Sequence, residues 1–509
     1  MTNDGQRSHL TEPLNPVNHK QFIDLINMLS LRNGGQLGPN NDEADEGVPS
    51  VRSISEQGEL QRRFLDSFAE IMSRDKGGEH ICSVALCESG DRRLDGDTKV
   101  SLFVARNNDF KNLDETFCNK LEGLLATIGA SVYGELNGTP VLLCTQTRHD
   151  DMHILDISAV EEELWEDLLH YNQPRLNVYV KSLHSNLEAF KNAGSLASVP
   201  PYSTGSESLQ DGNAEPTTCC DNPNIGPYSM DTHDAHMRLA QEHILELDNL
   251  LCSSNGAAQW RPLAEHTYSI RHMASLKILI NSCPNVSTGR KLIQDIQLLG
   301  RFRSCLSTLV KAALRIPGFA KLSIILVQNL QRRSLSYTSP SLADVTMQHL
   351  GQALSMTTVK KFISKKWNVI KATLRFEQVQ SKVSGKPLPT HAEVQLILYI
   401  TRCAYSENMN REICPYIGCS RLPCFLCAAF INYFTLDGVT FRTRGSHRKI
   451  YPRWSIPDMD GLHDDMVMAL DSALEDMQNL LRGELNKPII STPHRPESPA
   501  EVTDDTDDE

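Results

Sequence analysis

An imidazole, a carboxylate and two thiols stand in the last third of the chain in an order that suits a metal ion and an activated water. His391 and Glu393 are separated by one residue; Cys424 and Cys427, separated by two, follow about thirty residues later. Zinc takes four tetrahedral ligands from thiolate sulfur and imidazole nitrogen, and a catalytic site keeps one of the four positions for water. Two cysteines three apart at a helix start lie on one face and can grip a single ion. The unpaired N–H groups and dipole of that helix end favour thiolate over thiol. His391 can supply the third ligand. Glu393 is poorly placed to be a fourth, but well placed to carry a proton to and from a water whose pKa a bound zinc lowers to about 7.

Helix starts must position these groups, and the local sequence supplies them. Residues 387–400 read PLPTHAEVQLILYI. Pro387 and Pro389 resist helix, the run from His391 favours it, and Thr390 is a candidate N-cap. Residues 413–434 read ICPYIGCSRLPCFLCAAFINYF, which predicts a short strand over 413–418, a tight connection over 419–423 and a helix from Cys424. With 14 cysteines, one Cys-x-x-Cys arises by chance in about a third of such chains, so that pair alone is weak. Pro423 before it, the single His-x-Glu upstream and the strand between them make the conjunction specific. Two other readings stay open. Thr390 and Glu393 fit a capping box, and Cys414, Cys419, Cys424 and Cys427 could form a four-cysteine structural zinc site.

The order His-x-Glu, then Pro-Cys-x-x-Cys, is that of zinc nucleobase deaminases. At PTHAEVQL, YIGCSRLPCFLC and RTRGSHRKIYPRW (442–454), which reads as a hairpin, the chain resembles the cytidine-deaminase-like superfamily. The resemblance is to a branch common among fungal proteins and bacterial toxin-like modules, and it covers residues 340–460. It implies an α/β/α sandwich with a mixed sheet, zinc held by His391, Cys424 and Cys427, and Glu393 as acid and base. It also implies two strands upstream of His391, sought in NVIKATLRF (368–376). The expected activity is hydrolytic deamination of a nucleobase in a nucleotide or nucleic acid. The alternative is a catalytically silent, zinc-stabilised interaction module, and a protein-directed deamidase or toxin-like effector would share part of the metal chemistry.

Charge sharpens the substrate question. Residues 341–460 carry sixteen Lys and Arg against eight Asp and Glu, inside a chain of 509 residues with net charge -13. Arg442, Arg444, His447, Arg448, Lys449 and Arg453 are interleaved with Phe441, Tyr451 and Trp454, a mixture that suits single-stranded nucleic acid or a nucleotide phosphate. Arg442, Arg444, Arg448 and Trp454 are the candidate substrate-binding residues, a solvated charged face being the ordinary alternative. An acidic tail folding back on that patch would be autoinhibitory.

The whole chain reads as multidomain α/β. The partition is an N-terminal α/β region (1–193), a flexible linker (194–230), a helical region (231–339) and the deaminase-like domain (340–460). An amphipathic helix (461–483) and a disordered acidic tail (484–509) complete it. The helical region is scaffold or a surface for a protein partner. The first residues lack an apolar signal segment, and no apolar run approaches the ~18 residues that span a bilayer. An intracellular location, cytosolic or nuclear, and no membrane partner are therefore expected, with cysteines reduced.

Overall fold

Two apolar runs in the first quarter of the chain set the centre of the sheet. Six of the eight positions of Cys82–Ser89 (CSVALCES) are buried, and six of eight in Lys99–Arg106 (KVSLFVAR), as strands covered on both faces require. The computed structural model describes residues 16–37, 55–89, 99–132, 135–136, 139–140, 157–193, 230–253, 257–329, 340–383, 388–406, 411–436, 438–456 and 462–489. In chain order they form α1 (Pro16–Leu31), α2 (Glu56–Met72), β1 (Cys82–Ser89), β2 (Lys99–Arg106) and α3 (Asn112–Val132). A minimal pair, β3 (Glu135–Leu136) and β4 (Thr139–Pro140), precedes α4 (Ile157–Tyr171) and α5 (Gln173–Asn192). Next come α6 (Met230–Ser253), α7 (Ala257–Ile270), α8 (Ala274–Asn281), α9 (Val286–Arg315), β5 (Leu322–Leu326), α10 (Leu342–Leu350), α11 (Met356–Phe362) and α12 (Val369–Val383). The series ends with α13 (Ala392–Ser406), β6 (Arg411–Ile413), β7 (Gly418–Cys419), α14 (Phe425–Tyr433), β8 (Thr435–Leu436), β9 (Val439–Thr440) and α15 (Asp464–Asn486).

The chain divides into two compact units, Met1–Leu168 with Cys305–Glu509, and Leu169–Ser304. The second is helical throughout its described residues, and its core holds Leu176, Leu183, Leu187, Ile244, Trp260, Leu263, Ile296 and Phe302. The first contains a mixed sheet of order β5-β2-β1-β6, with β7 also on β1. β1 runs antiparallel to β2 (Val84 opposite Val104), to β6 (Cys87 opposite Ile413) and to β7 (Ser83 opposite Cys419). β5 runs parallel to β2. Side chains alternate across the pleat. Ala85, Cys87, Phe103 and Ala105 join the large core with α1, α13, α14 and α15. Val84, Leu86, Leu102 and Val104 are buried outside that cluster, on the face covered by α2 and α3.

The mixed sheet and flanking helices agree with the expected class, but the sheet draws its strands from elsewhere. Residues 369–383 are the helix α12, not a strand, because Ala372, Phe376, Gln380 and Val383 recur three or four apart and bury one helical face. The strands that flank β6 and β7 come instead from residues 82–106. The sheet thus runs through both the 1–193 and the 340–460 segments of the sequence partition. β5 falls inside the stretch expected to be helical. The amphipathic stripe near the C-terminus forms α15, with Met466, Leu470, Ala473, Leu474, Met477 and Leu481 buried. The linker at 194–229 and the tail from residue 490 lie outside the described residues. No helix among those residues is long and apolar enough to cross a membrane.

Candidate metal centre and active site

Two helix N-termini meet at His391. The helix α13 starts one residue after it, and α14 starts one residue after Cys424, which serves as N-cap by accepting from the Cys427 N–H at 3.3 Å. His391 Nδ1 lies 3.6 Å from Cys424 Sγ and 3.3 Å from Cys427 Sγ. In a tetrahedral zinc site with bonds of about 2.3 Å to sulfur and 2.05 Å to nitrogen, the nitrogen–sulfur edge is about 3.6 Å. The two nitrogen–sulfur distances are close to that edge, and the three donor atoms all lie within 4.8 Å of one another, so they could hold such a cation. Among the described residues this is the one His, Cys, Asp or Glu group with that geometry. Cys419 Sγ is instead occupied by Ser83 Oγ and Ile417 O inside the sheet, so the four-cysteine arrangement is not formed. Behind the ligands, the buried Trp454 donates its indole N–H to Cys427 Sγ at 3.3 Å.

Burial opposes charge on each of these groups, and contact between them decides the outcome. Cys424 is drawn well below the ordinary thiol range, because Cys427 and the His391 imidazole outweigh burial. Burial and the neighbouring Cys424 hold Cys427 well above that range. Burial also works against the charged His391 ring, yet Cys424 and Glu393 raise it. A divalent cation bound here would stabilise the thiolates and stand in place of the ring's proton, since metal ligands must be deprotonated.

Glu393 is only 3% exposed, and its Oε2 has no hydrogen-bond partner. Burial lifts its carboxyl above the usual range, opposed by His391 and helped by Cys424. A buried, basic, unpartnered carboxylate oxygen beside a metal site is equipped to accept a proton. It is not spent on capping. Thr390 Oγ1 makes no hydrogen bond, so the capping box is absent. The first backbone N–H of the helix, that of the buried Ala392, is taken by a residue 285 positions earlier, Asn107, whose Oδ1 accepts at 2.7 Å. Asn107 is held in turn by donating Nδ2 to Gly78 O at 2.7 Å. The adjacent Arg106 is anchored by a buried ion pair with Asp114 at 2.6 Å, and Gln395 ties Arg106 O and Thr390 O together.

His391, Glu393 and Cys424 line a small cavity of about 30 Å³. Ile81 and Asn107 line it from the ends of β1 and β2, Arg421 and Leu422 from the connection before α14, and His447 and Tyr451 from the following loop. That loop is not the expected hairpin. It is laced between two neighbours: His447 N–H to Pro423 O (3.2 Å) and Phe425 N–H to Lys449 O (3.0 Å) on one side, Leu37 N–H to Arg448 O and Ile450 N–H to Gly35 O on the other. Gly35 must be glycine: its φ is +86°, and a Cβ there would sit 2.7 Å from Ile450 O.

Of the sequence candidates, His391, Glu393, Cys424 and Cys427 converge, whereas Arg442, Arg444, Arg448 and Trp454 do not line the cavity. Arg444 turns to Cys419 O and Asp66. Arg448, at a left-handed φ of 56°, points into the core, against Glu484 and over the Phe425 ring. Trp454 is 1% exposed and backs the thiols. Arg442 is exposed, and its backbone bridges Tyr416. Sequence reasoning missed Ile81, Asn107, Arg421 and Leu422 as cavity residues. Arg421 and Leu422 were visible inside the motif itself, next to Pro423; nothing in the local sequence around Ile81 and Asn107 pointed to His391.

A family model described as an OTT_1508_deam-like deaminase matches residues 390–458. That stretch is accordingly a cytidine-deaminase-like deaminase domain, and it contains all four converging residues. No curated protein and no solved structure matches the chain.

Proposed function

We propose that this site is a zinc-dependent hydrolytic deaminase acting on a nucleobase in a nucleotide or nucleic acid. The observation that carries the reading is the joint placement of the His391, Cys424 and Cys427 donor atoms beside a buried carboxylate, Glu393, with one oxygen unpartnered. His391 Nδ1 and the two sulfurs would hold the zinc, which when bound supplies the Lewis acidity that activates water near neutral pH.

The chain's own groups do the rest. Glu393 Oε2 takes a proton from the attacking water and delivers it to the ring nitrogen as the new C–O bond forms at the amino-bearing carbon. The same oxygen then passes the water's second proton to the amine. The C–N bond breaks, ammonia leaves, and the ring keeps a carbonyl. Leu422 and Ile81 exclude bulk water from one side of the cavity, and Tyr451 offers a ring face for stacking.

Metal analysis joined to one variant tests this. The zinc-loaded parent releases ammonia from at least one member of a panel of nucleosides, nucleotides and oligonucleotides. Glu393→Gln keeps one zinc per chain and releases none. A parent that binds zinc stoichiometrically yet is silent across the whole panel would establish the silent interaction module instead.

A further inference from the structure

We propose that the chain binds a second copy of itself, the basic outer face of α12 in one copy docking on the acidic outer face of α15 in the other. The proposal is independent of the deaminase reading and uses none of its residues. Between residues 356 and 383, seven Lys and Arg stand against one acid, Glu377. All seven cations are exposed, and none meets an acid among the described residues. Arg375 reaches Gln378, Lys361 lies over the Phe362 ring, and Lys371 stands 5.8 Å from the centre of the Trp367 ring. Lys371 and Arg375 lie one turn apart on α12, and beside them Ile370 and Leu374 form a second row, 70% and 53% exposed. The neighbouring α11 adds the exposed Met356. Single exposed aliphatics are ordinary, but two on adjacent turns inside a cationic border make an apolar patch.

The outer face of α15 carries the opposite charge. From Asp464 to Leu481 it holds five acids and no cation. Asp464, Asp465, Asp471, Glu475 and Asp476 are all exposed, and only Asp465 has an ionisable partner, His463 Nδ1 at 3.3 Å. Met468 is 63% exposed and sits one turn from Asp464 on one side and from Asp471 on the other. The inner face of the helix supplies the core through Met466, Leu470 and Met477, so its outer face is not needed for packing. α1 packs against both α12 and α15, which fixes the two helices on one framework. Within one copy no ion pair joins their outer faces among the described residues.

An occupant for α12 must bring acids arranged round an apolar centre, and α15 has that composition. A phosphate backbone would meet the cations but leave Ile370 and Leu374 against water. Lys371 and Arg375 are four residues apart, and so are Asp471 and Glu475. Both pairs therefore repeat at about 6 Å along their helices, and two ion pairs can form side by side. Met468 then has the aliphatic row of α12 to cover. A two-fold axis makes both contacts at once, α12 on α15 and α15 on α12, and closes the assembly as a dimer. The net charge of -13 on each copy opposes approach at long range. At physiological salt the screening length is about 8 Å, so the facing side chains decide.

Sedimentation equilibrium of the full chain at about 0.15 M and about 1 M salt tests this. The parent is a reversible dimer at the lower salt, and its dissociation constant rises about tenfold or more at the higher. Lys371→Glu with Arg375→Glu sets acid against acid, and Asp471→Lys with Glu475→Lys sets base against base, so each double variant alone is monomeric. Mixed, the two restore opposite charges at both contacts and form one-to-one heterodimers, which a folding defect could not produce. Ile370→Ser with Leu374→Ser keeps every charge and weakens the dimer about tenfold or more. A parent that is monomeric at the lower salt overturns the proposal, as do double variants that dimerise like the parent or a mixture that stays monomeric. A chain that becomes dimeric only when cut to residues 1–489 gives the α12 face to the acidic residues that follow, and overturns it too. So does a monomeric parent that binds a single-stranded oligonucleotide through Lys371 and Arg375, since the face then belongs to nucleic acid.

Discussion

Asn107→Ala should loosen the metal site without touching any of its ligands. The side chain accepts from the first backbone N–H of α13 and donates to Gly78 O, both at 2.7 Å. Losing a capping acceptor costs about 1 kcal/mol, and losing an ordinary second hydrogen bond about another 1. The unfolding free energy of the sheet-containing unit should therefore fall by about 2 kcal/mol. Only the first of these bonds acts on the turn that carries His391 and Glu393. If its loss falls on the ligand-competent arrangement, zinc affinity drops about fivefold. Any displacement of Glu393 acts further on turnover, where a shift of about 1 Å can cost about a hundredfold. Denaturant unfolding reads the loss of stability, and competition with a chelator of known zinc affinity reads the loss of zinc binding. Asn107→Asp is the informative partner. It retains the acceptor, and its charge suits a helix N-terminus, while the bond to Gly78 O is lost. It should recover most of the zinc affinity and about half of the stability. The reasoning is refuted if Asn107→Ala competes for zinc as the parent does, or if Asn107→Asp loses as much affinity as alanine.

Gly418→Ala places a Cβ 2.3 Å from Leu65 C and 2.4 Å from its O, so β7 or the α2 backbone must move. A loss of about 3 kcal/mol or more is expected, seen as a lowered thermal midpoint. Trp454→Phe keeps an aromatic ring at this buried position, though a smaller one, and removes the N–H given to Cys427 Sγ. Zinc affinity by chelator competition should fall about tenfold, in line with the loss of a group that supports a metal ligand. His349, at the end of α10, is pushed down to about 4 by burial and by Arg482. Between about 4 and the unfolded value of 6.5 the unfolded chain binds the extra proton, so stability rises with pH across that window and is lost as pH falls through it. His349→Gln should flatten unfolding free energy between pH 4 and 6.5 by about 1 to 2 kcal/mol, allowing for the ring's partial exposure.

The chemistry was legible because it is local. A proline-bounded helix start brings His391 and Glu393 together, and a three-residue step brings Cys424 to Cys427; neither needs knowledge of the rest of the chain. The strands at 82–89 and 99–106 were equally readable as strands. What local pattern could not show was their partners, since a β-ladder records only that a strand needs an edge and not which distant segment supplies it. The cations of the 442–453 run were misjudged for a related reason: the sequence shows Arg444 and Arg448 but not that Asp66 and Glu484 await them.

That non-local part fixes how much chain the site needs. β6 and β7 have three and two residues, and both pair with β1. Strands so short cannot make a sheet by themselves. Cutting the chain before residue 340 would take away β1, β2, the α2 surface under Gly418 and the Asn107 cap on α13 together. A fragment of residues 340–489 should therefore bind zinc far below one ion per chain and give no cooperative thermal transition. A chain of residues 1–489, which keeps every one of those elements, should match the parent in both. If the 340–489 fragment held stoichiometric zinc and melted cooperatively, the N-terminal strands would be an accessory to the site and not part of its framework.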